Sequence, residues 1–137
     1  MACGRTVCTV IFIPQPRLRR VSGLCQKPDK FKGKYHLRGI NGVIVDINAV
    51  LKPALTVIDG FVGMEGKGPV DGTPIQMNLI IAGKDPVATD ATASRIMGFD
   101  PFKIKHIRKA HEKGLGNINP QILGEKLEAV IRQFKEK

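Results

Sequence analysis

The sequence predicts an α/β fold, with a small layered sheet of about three to four strands packed by about four helices. Two observations lead to this fold class. Short apolar runs rich in β-branched residues indicate buried strands, and segments with apolar residues at helical spacing indicate helices. The two kinds of segment alternate from residue 37 onward, so we expect a basic arm with little structure of its own over residues 1–34 and an α/β domain over residues 35–137.

The N-terminal arm carries much of the positive charge. Nine Lys or Arg residues and one acidic residue lie in residues 1–38, within a net charge of +10 for the whole chain. Residues 6–13 are apolar and end at Pro14, which predicts a strand at the edge of the sheet. The remainder of the arm has no clear period.

Cysteine usage and hydropathy indicate a cytoplasmic protein. Cys3, Cys8 and Cys25 are odd in number and match neither a zinc ribbon nor a ferredoxin run, so we expect reduced thiols and no iron–sulphur cluster ligated by this chain. No apolar run approaches the roughly 18 to 20 residues of a membrane helix, and residues 7–13 lack the features of a signal peptide. The sequence therefore predicts no membrane partner.

The elements after the arm can be placed in order. Apolar residues at helical spacing predict a helix over residues 37–51, which Pro53 closes. The runs ALTVI, at 54–58, and MNLIIA, at 77–82, predict two buried strands with a glycine-rich loop between them.

Two Asp-Pro pairs then mark helix starts, because aspartate accepts from the first free N–H groups and proline suits the first helical position. They predict helices over 86–97, with Gly98 as a left-handed stop, and over 101–113. A third short strand is expected at 121–123, and an amphipathic helix over 127–134 closes the chain.

The glycine-rich stretch IDGFVGMEGKGPVDGTP, residues 58–74, is the first candidate site. Ligands of α/β sheets tend to lie beyond strand ends, and if the two flanking strands are parallel, those ends meet at one edge of the sheet. Carboxylates at such a place act as general bases or as oxygen ligands of a divalent metal. The candidate catalytic residues are Asp59 and Glu65, and the candidate metal ligands are Asp59, Glu65 and Asp71.

A small anionic ligand is the second possibility at the same loop. Glycines allow close approach of the backbone, and the free N–H groups at a helix start favour an anion. Each of these residues also has a purely structural explanation. Asp85 would cap a helix, Asp90 would interact favourably with the helix dipole, and the glycines would allow tight turns. The candidate ligand-binding residues are Gly66, Gly68, Gly72, Lys84, Asp85 and Asp90.

The same residues carry a resemblance to a known family. The stretches KPALTVIDGFVGMEGKGPVDGTP, NLIIAGKDPVATDATASRIMGFDP and AHEKGLG together resemble domain-of-unknown-function family 362, over about residues 28–130. The resemblance implies a prokaryotic protein of unknown function, often fused to or encoded with ferredoxin-type iron–sulphur modules. Family domains are longer than this chain, which resembles their C-terminal portion and could leave a sheet edge open for a homo-oligomer.

Three functions follow as hypotheses. The first is an α/β domain that binds a metal ion or small anion at residues 59–85, with or without catalysis. The second is a non-catalytic accessory module that docks onto a ferredoxin-type iron–sulphur protein. The third is non-specific nucleic-acid binding through the basic ends; it ranks last, because the aromatic residues that would stack on bases are few.

Overall fold

The computed structural model describes residues 8–12, 39–51, 53–67 and 71–135. Cys3, Cys25 and Gly68 lie outside these residues, together with most of the predicted arm, and the predictions that concern them remain predictions. Cys8 lies inside a described strand.

The described residues form one three-stranded antiparallel sheet. Its strands are β1 (Cys8–Phe12), β2 (Leu55–Lys67) and β3 (Asp71–Gly83), and they lie side by side in that order. β1 pairs with residues 55–59 of β2. The edge strand predicted near the N-terminus is therefore confirmed over Cys8–Phe12, and β3 forms the opposite edge.

β2 and β3 are the two arms of a long hairpin. The strands predicted at 54–58 and 77–82 form its base, and each arm has 13 residues. The expectation of a loop between them was wrong, because the strands continue through most of the glycine-rich stretch. Since the arms are antiparallel, the C-terminal ends of the two strands lie at opposite ends of the hairpin rather than at one edge.

Close packing explains why glycines occur inside these strands. A Cβ atom at Gly63 would lie 2.7 Å from Cζ of Phe134, and one at Gly72 would collide with the side chain of Met64. The glycines therefore make room for neighbouring side chains, which is one of the uses of glycine in a strand interior.

The described part of the chain also contains four α-helices, of which the second along the chain packs against β2 and β3, and this combination confirms the α/β fold class. They are α1 (Ile40–Leu51), α2 (Pro86–Ile96), α3 (Lys105–Glu112) and α4 (Leu127–Val130), and a 3-10 turn at Pro101–Lys103 precedes α3. α1 and α2 lie close to their predicted bounds. The predicted stop after α2 is also confirmed, since Gly98 has φ +79°.

Three predicted elements differ from the structure. The helix expected over 101–113 is divided, because Ile104 has an extended backbone between the 3-10 turn and α3. No strand forms at 121–123. The closing helix stops at Val130, and residues 131–135 have no regular secondary structure.

α2 lies at the centre of the molecule, although it carries few large side chains. Val87 and Ala91 join Val45, Ile107 and Ile118 in the main apolar cluster. Its hydroxyl groups do not need outside partners, because each donates to the carbonyl four residues earlier in the helix. Small residues with internally satisfied hydroxyls allow α2 to pack closely against the sheet. The three hydroxyl donors are Thr89, Thr92 and Ser94.

Residues 131–135 tie the end of α2 to the hairpin. Arg132 N donates to Ile96 O at 2.8 Å, and Phe134 N donates to Met97 O at 3.1 Å. Phe134 is buried, with 4% of its surface exposed, and its ring contacts the hairpin at Gly63. Bonds to α2 satisfy backbone groups that a longer α4 would have satisfied within the helix.

Candidate binding groove

A groove of about 680 Å³ lies between β3, α2 and the C-terminal segment. Residues 78–83 of β3 form one side, and residues 120–125, which we call the outer wall, form the other. The helical side comes from α2, with Ala88 and Thr92 among its lining residues. The volume is within the range of ordinary ligand pockets, so this is the leading candidate for a binding site.

Gly83 sets the distance between α2 and β3. A Cβ atom at this position would lie 2.6 Å from Oγ1 of Thr89, so a larger residue would push the helix away from the strand. The hydroxyl of Thr89 is already bound to Asp85 O at 2.8 Å. The helix therefore lies close to the end of β3, and the small residues Ala88 and Thr92 leave space beside it.

The mouth of the groove is apolar. Ile80 is 75% exposed on β3, and Leu123 is 86% exposed on the outer wall. Ile122 adds a third exposed aliphatic side chain on the same wall. Exposed aliphatic groups on both sides of one groove indicate a surface that loses water when it is covered.

The backbone of β3 also faces this groove. β3 is the last strand of the sheet, and in the described part of the chain its backbone makes no hydrogen bond outside the hairpin. A register shift between Gly60 and Val62 interrupts the hairpin, and Asn78 adopts φ +53° on the opposite arm. The regular strand beyond this irregularity, residues 79–83, lines the groove together with Asn78.

Asp85 lines the groove and acts as the cap of α2. Its Oδ1 accepts from Val87 N at 2.8 Å and from Ala88 N at 3.0 Å. Its Oδ2 accepts from Asn117 N at 2.7 Å, which ties the start of α2 to the loop after α3. The carboxylate therefore occupies the N–H groups that an anion would use at this helix start.

The loop that leads into the outer wall is held at several points. Arg95 Nη1 donates to Ile118 O at 2.8 Å, and the ring Nδ1 of His111 lies 2.9 Å from Gly116 O. Gly116 packs so closely on Asp85 that a Cβ atom there would collide with the carboxylate. Residues 120–125 thus start from a fixed point, while most of the outer wall itself is exposed.

Among the predicted catalytic and metal-binding carboxylates, Asp59 lies apart from Glu65 and Asp71 along the hairpin. Asp59 is exposed in the middle of β2, and its Oδ1 accepts from Phe61 N at 3.0 Å. Glu65 lies six residues further along the strand, about 20 Å away, and its Oε2 accepts from Lys135 N at 2.9 Å. Asp71 is exposed at the start of β3, opposite Lys67.

These side chains do not converge on one point. Among the described residues, no group of three or more His, Cys, Asp or Glu side chains could hold a metal ion. The catalytic and metal-binding roles of Asp59, Glu65 and Asp71 stay predictions.

The remaining candidate residues are divided between the hairpin and the groove. Gly66 has φ +74° near the end of β2, and Gly72 packs against Met64. Lys84 is exposed and lines the groove. Asp90 is partly buried in α2, and this burial raises the pKa of its carboxyl from 3.8 to about 6.

Comparison with known proteins identifies one family model and one curated protein that are similar to this chain. The family model described as Domain of unknown function (DUF362) matches residues 18–95, which is more than half of the chain. The chain belongs to the DUF362 family. The match includes the whole hairpin and nearly all of α2, so in this DUF362 chain the family region supplies two sides of the groove.

One curated relative is a thylakoid-associated protein from Synechocystis sp., 28% identical over 94 residues. That alignment covers 64% of this DUF362 chain and 29% of the relative. No solved structure matches the sequence significantly. Within the described residues, no helix is long and apolar enough to cross a membrane.

Sequence reasoning missed the apolar residues of the groove. The sequence predicts that Ile80 lies in a buried strand and that Leu123 lies in a short strand, whereas both side chains are exposed and no strand forms at Leu123. One signal was present, since residues 72–83 contain no charged side chain, which is unusual for an edge strand. Without the position of the outer wall, that signal does not define a groove.

Proposed function

We propose that this chain is a binding domain whose site is the groove between β3, α2 and the outer wall, and that it acts as a docking module rather than as a metal enzyme. The observation that carries the proposal is the combination of a free strand edge with exposed aliphatic groups on both sides, at Ile80 and Leu123. Such a surface suits binding, because covering it removes apolar area from water.

The arrangement of the carboxylates favours docking over metal or anion chemistry. Glu65 is bound to the backbone of Lys135, and Asp85 is bound to three backbone N–H groups. Both side chains therefore have structural partners. Asp59 lies on a strand far from either of them, so a shared metal ion or substrate would require a large rearrangement of the hairpin.

A ferredoxin-type iron–sulphur protein and a cytoplasmic location remain parts of this proposal. The first comes from the family resemblance, and the second from the hydropathy of the sequence. The relative's name concerns the thylakoid, and we therefore include attachment to a membrane surface as an outcome of fractionation. Immunodetection in soluble and salt-washed membrane fractions of the source cells would separate the two locations.

The groove itself is tested with an apolar fluorescent dye, anilinonaphthalene sulfonate. We expect the dye to bind the folded chain, and we expect Ile80→Ser and Leu123→Ser to weaken its fluorescence several-fold, because each removes apolar area from the groove mouth. Val50→Ser is the matched control, since Val50 is 82% exposed on α1 and does not line the groove. Equal effects of all three substitutions would refute the groove as the binding site.

A further inference from the structure

The part of β3 that lines the groove offers a template for another strand. Residues 78–83 are consecutive lining residues, so side chains of both strand faces and the backbone edge between them border the same space. Alternate N–H and C=O groups of an antiparallel strand point away from its partner, and those of β3 have no hydrogen-bond partner in the described part of the chain. The five regular residues 79–83 extend over about 17 Å, which is an ordinary strand length.

The walls on either side suit the alternating side chains of an extended segment. Ala88 and Thr92 leave space on the helical side, and Ile122 and Leu123 supply aliphatic contacts on the outer wall. In strand addition, backbone hydrogen bonds contribute affinity, and pockets for every second side chain contribute specificity. The groove therefore fits an extended chain with small or aliphatic residues at alternate positions.

Charge selects among possible occupants. No charged residue lies within residues 72–83, so nothing on this edge repels an incoming strand. Lys84 and Lys126 are exposed beside the groove, and Glu125 is the exposed acid on the outer wall. Asp85 is held by its three N–H partners. With a net charge of +10, the chain repels a second copy and attracts an acidic partner.

We propose that an extended segment of an acidic partner protein adds to the sheet as a fourth strand, pairing with residues 79–83 of β3. Its central residues are aliphatic at alternate positions, and its flanks are acidic. This inference rests on the proposed function, because it names the occupant of the same groove.

The test uses a fluorescein-labelled peptide of about eight residues, in which valine and threonine alternate between glutamate flanks. Fluorescence anisotropy measures its binding to the whole chain. Two matched peptides isolate the physical causes: one carries N-methyl groups on alternate backbone amides, and the other has lysine flanks. We expect the N-methylated peptide to bind at least about tenfold more weakly, and the lysine-flanked peptide to lose most of its affinity at low salt.

Two substitutions on the protein complete the design. Ile80→Ser and Leu123→Ser should each lower the affinity for the peptide by about tenfold, whereas Val50→Ser should leave the affinity unchanged. Affinity should also decrease as salt is raised, because salt screens the attraction between the acidic flanks and a chain whose net charge is +10.

Several results would overturn the inference. It fails if the peptide does not bind, or if N-methylation has no effect. It also fails if sedimentation shows a dimer that Ile80→Ser dissociates, because the occupant would then be a second copy. Dye binding that depends on Ile80 and Leu123, without peptide binding, would preserve the groove and reject the strand partner. Loss of both would reject the proposed function as well.

Discussion

At the scale of single residues, the acidic side chains have different physical roles despite similar sequence settings. Asp85 stabilises the start of α2 by accepting two helix N–H groups, a contribution of typically about 1 kcal/mol for such caps. Its third bond, from Asn117 N, joins two segments that are 32 residues apart. Asp90 lies one turn further along α2, where burial disfavours its charged form.

Asp90 should make the stability of the protein depend on pH. Burial raises the pKa of this carboxyl from 3.8 to about 6, so between these values the folded state holds a proton that the unfolded state has lost. Stability due to this group is therefore complete below about pH 3.8 and is lost as pH rises through about 6. At 1.36 kcal/mol per pKa unit, the loss is on the order of 3 kcal/mol.

Asp90→Asn tests this expectation, because the amide stays neutral at every pH. We expect the variant and the parent to have similar unfolding free energies at about pH 4, and the variant to be more stable by up to about 3 kcal/mol at about pH 7. Urea denaturation at each pH measures the difference. Asp71→Asn, at an exposed position, controls for the loss of one negative charge. A difference that stays constant with pH would contradict the assignment.

At the scale of secondary-structure elements, the hairpin depends on glycines that admit the side chains of other segments. Gly63→Ala should lower the unfolding free energy by about 1 to 3 kcal/mol, because the new methyl group would lie 2.7 Å from Cζ of Phe134. Gly42→Ala is the control: nothing lies within 4 Å of its added Cβ, and α1 should gain up to about 1 kcal/mol. Thermal unfolding of the two variants should therefore shift in opposite directions, and shifts of the same sign would count against this packing.

Elements fixed by neighbouring residues could be predicted, and elements fixed by distant ones could not. Asp85 and Asp100 each accept from the N–H group two residues further along the chain. The start of α2 and the start of the 3-10 turn can therefore be recognised from a few consecutive residues. Gly63 faces Phe134, a partner far along the chain, and in isolation the glycine suggests a loop. The candidate site follows the same rule, since the groove exists only where residues 120–125 come to lie beside β3.

At the scale of the whole molecule, the C-terminal segment connects the separate parts of the fold. Residues 114–119 are bound to α2 and α3, and residues 132–135 are bound to α2 and the hairpin. The outer wall lies between these two attachments. Its position is therefore determined at both ends, while its own side chains remain open to a partner.

The order of the strands has a consequence for how the sheet assembles and opens. Lys67 pairs with Asp71 across a very short connection, whereas Phe12 pairs with Leu55 only after residues 13–54 have closed a long loop. Closing the longer loop costs about 2 kcal/mol more in chain entropy, which disfavours the pairing of β1 relative to that of β3. We therefore expect β1 to separate from β2 at a lower free energy than β3 does. Amides that join β1 to β2 should then exchange with solvent faster than those that join β2 to β3.

Native-state hydrogen exchange, followed amide by amide, would measure this difference. Equal opening energies in the three strands would mean that the sheet unfolds as one unit. If β1 opens first, residues 55–59 of β2 become a transient strand edge, so the protein would offer an intermittent site for strand exchange with other chains besides the outer edge of β3.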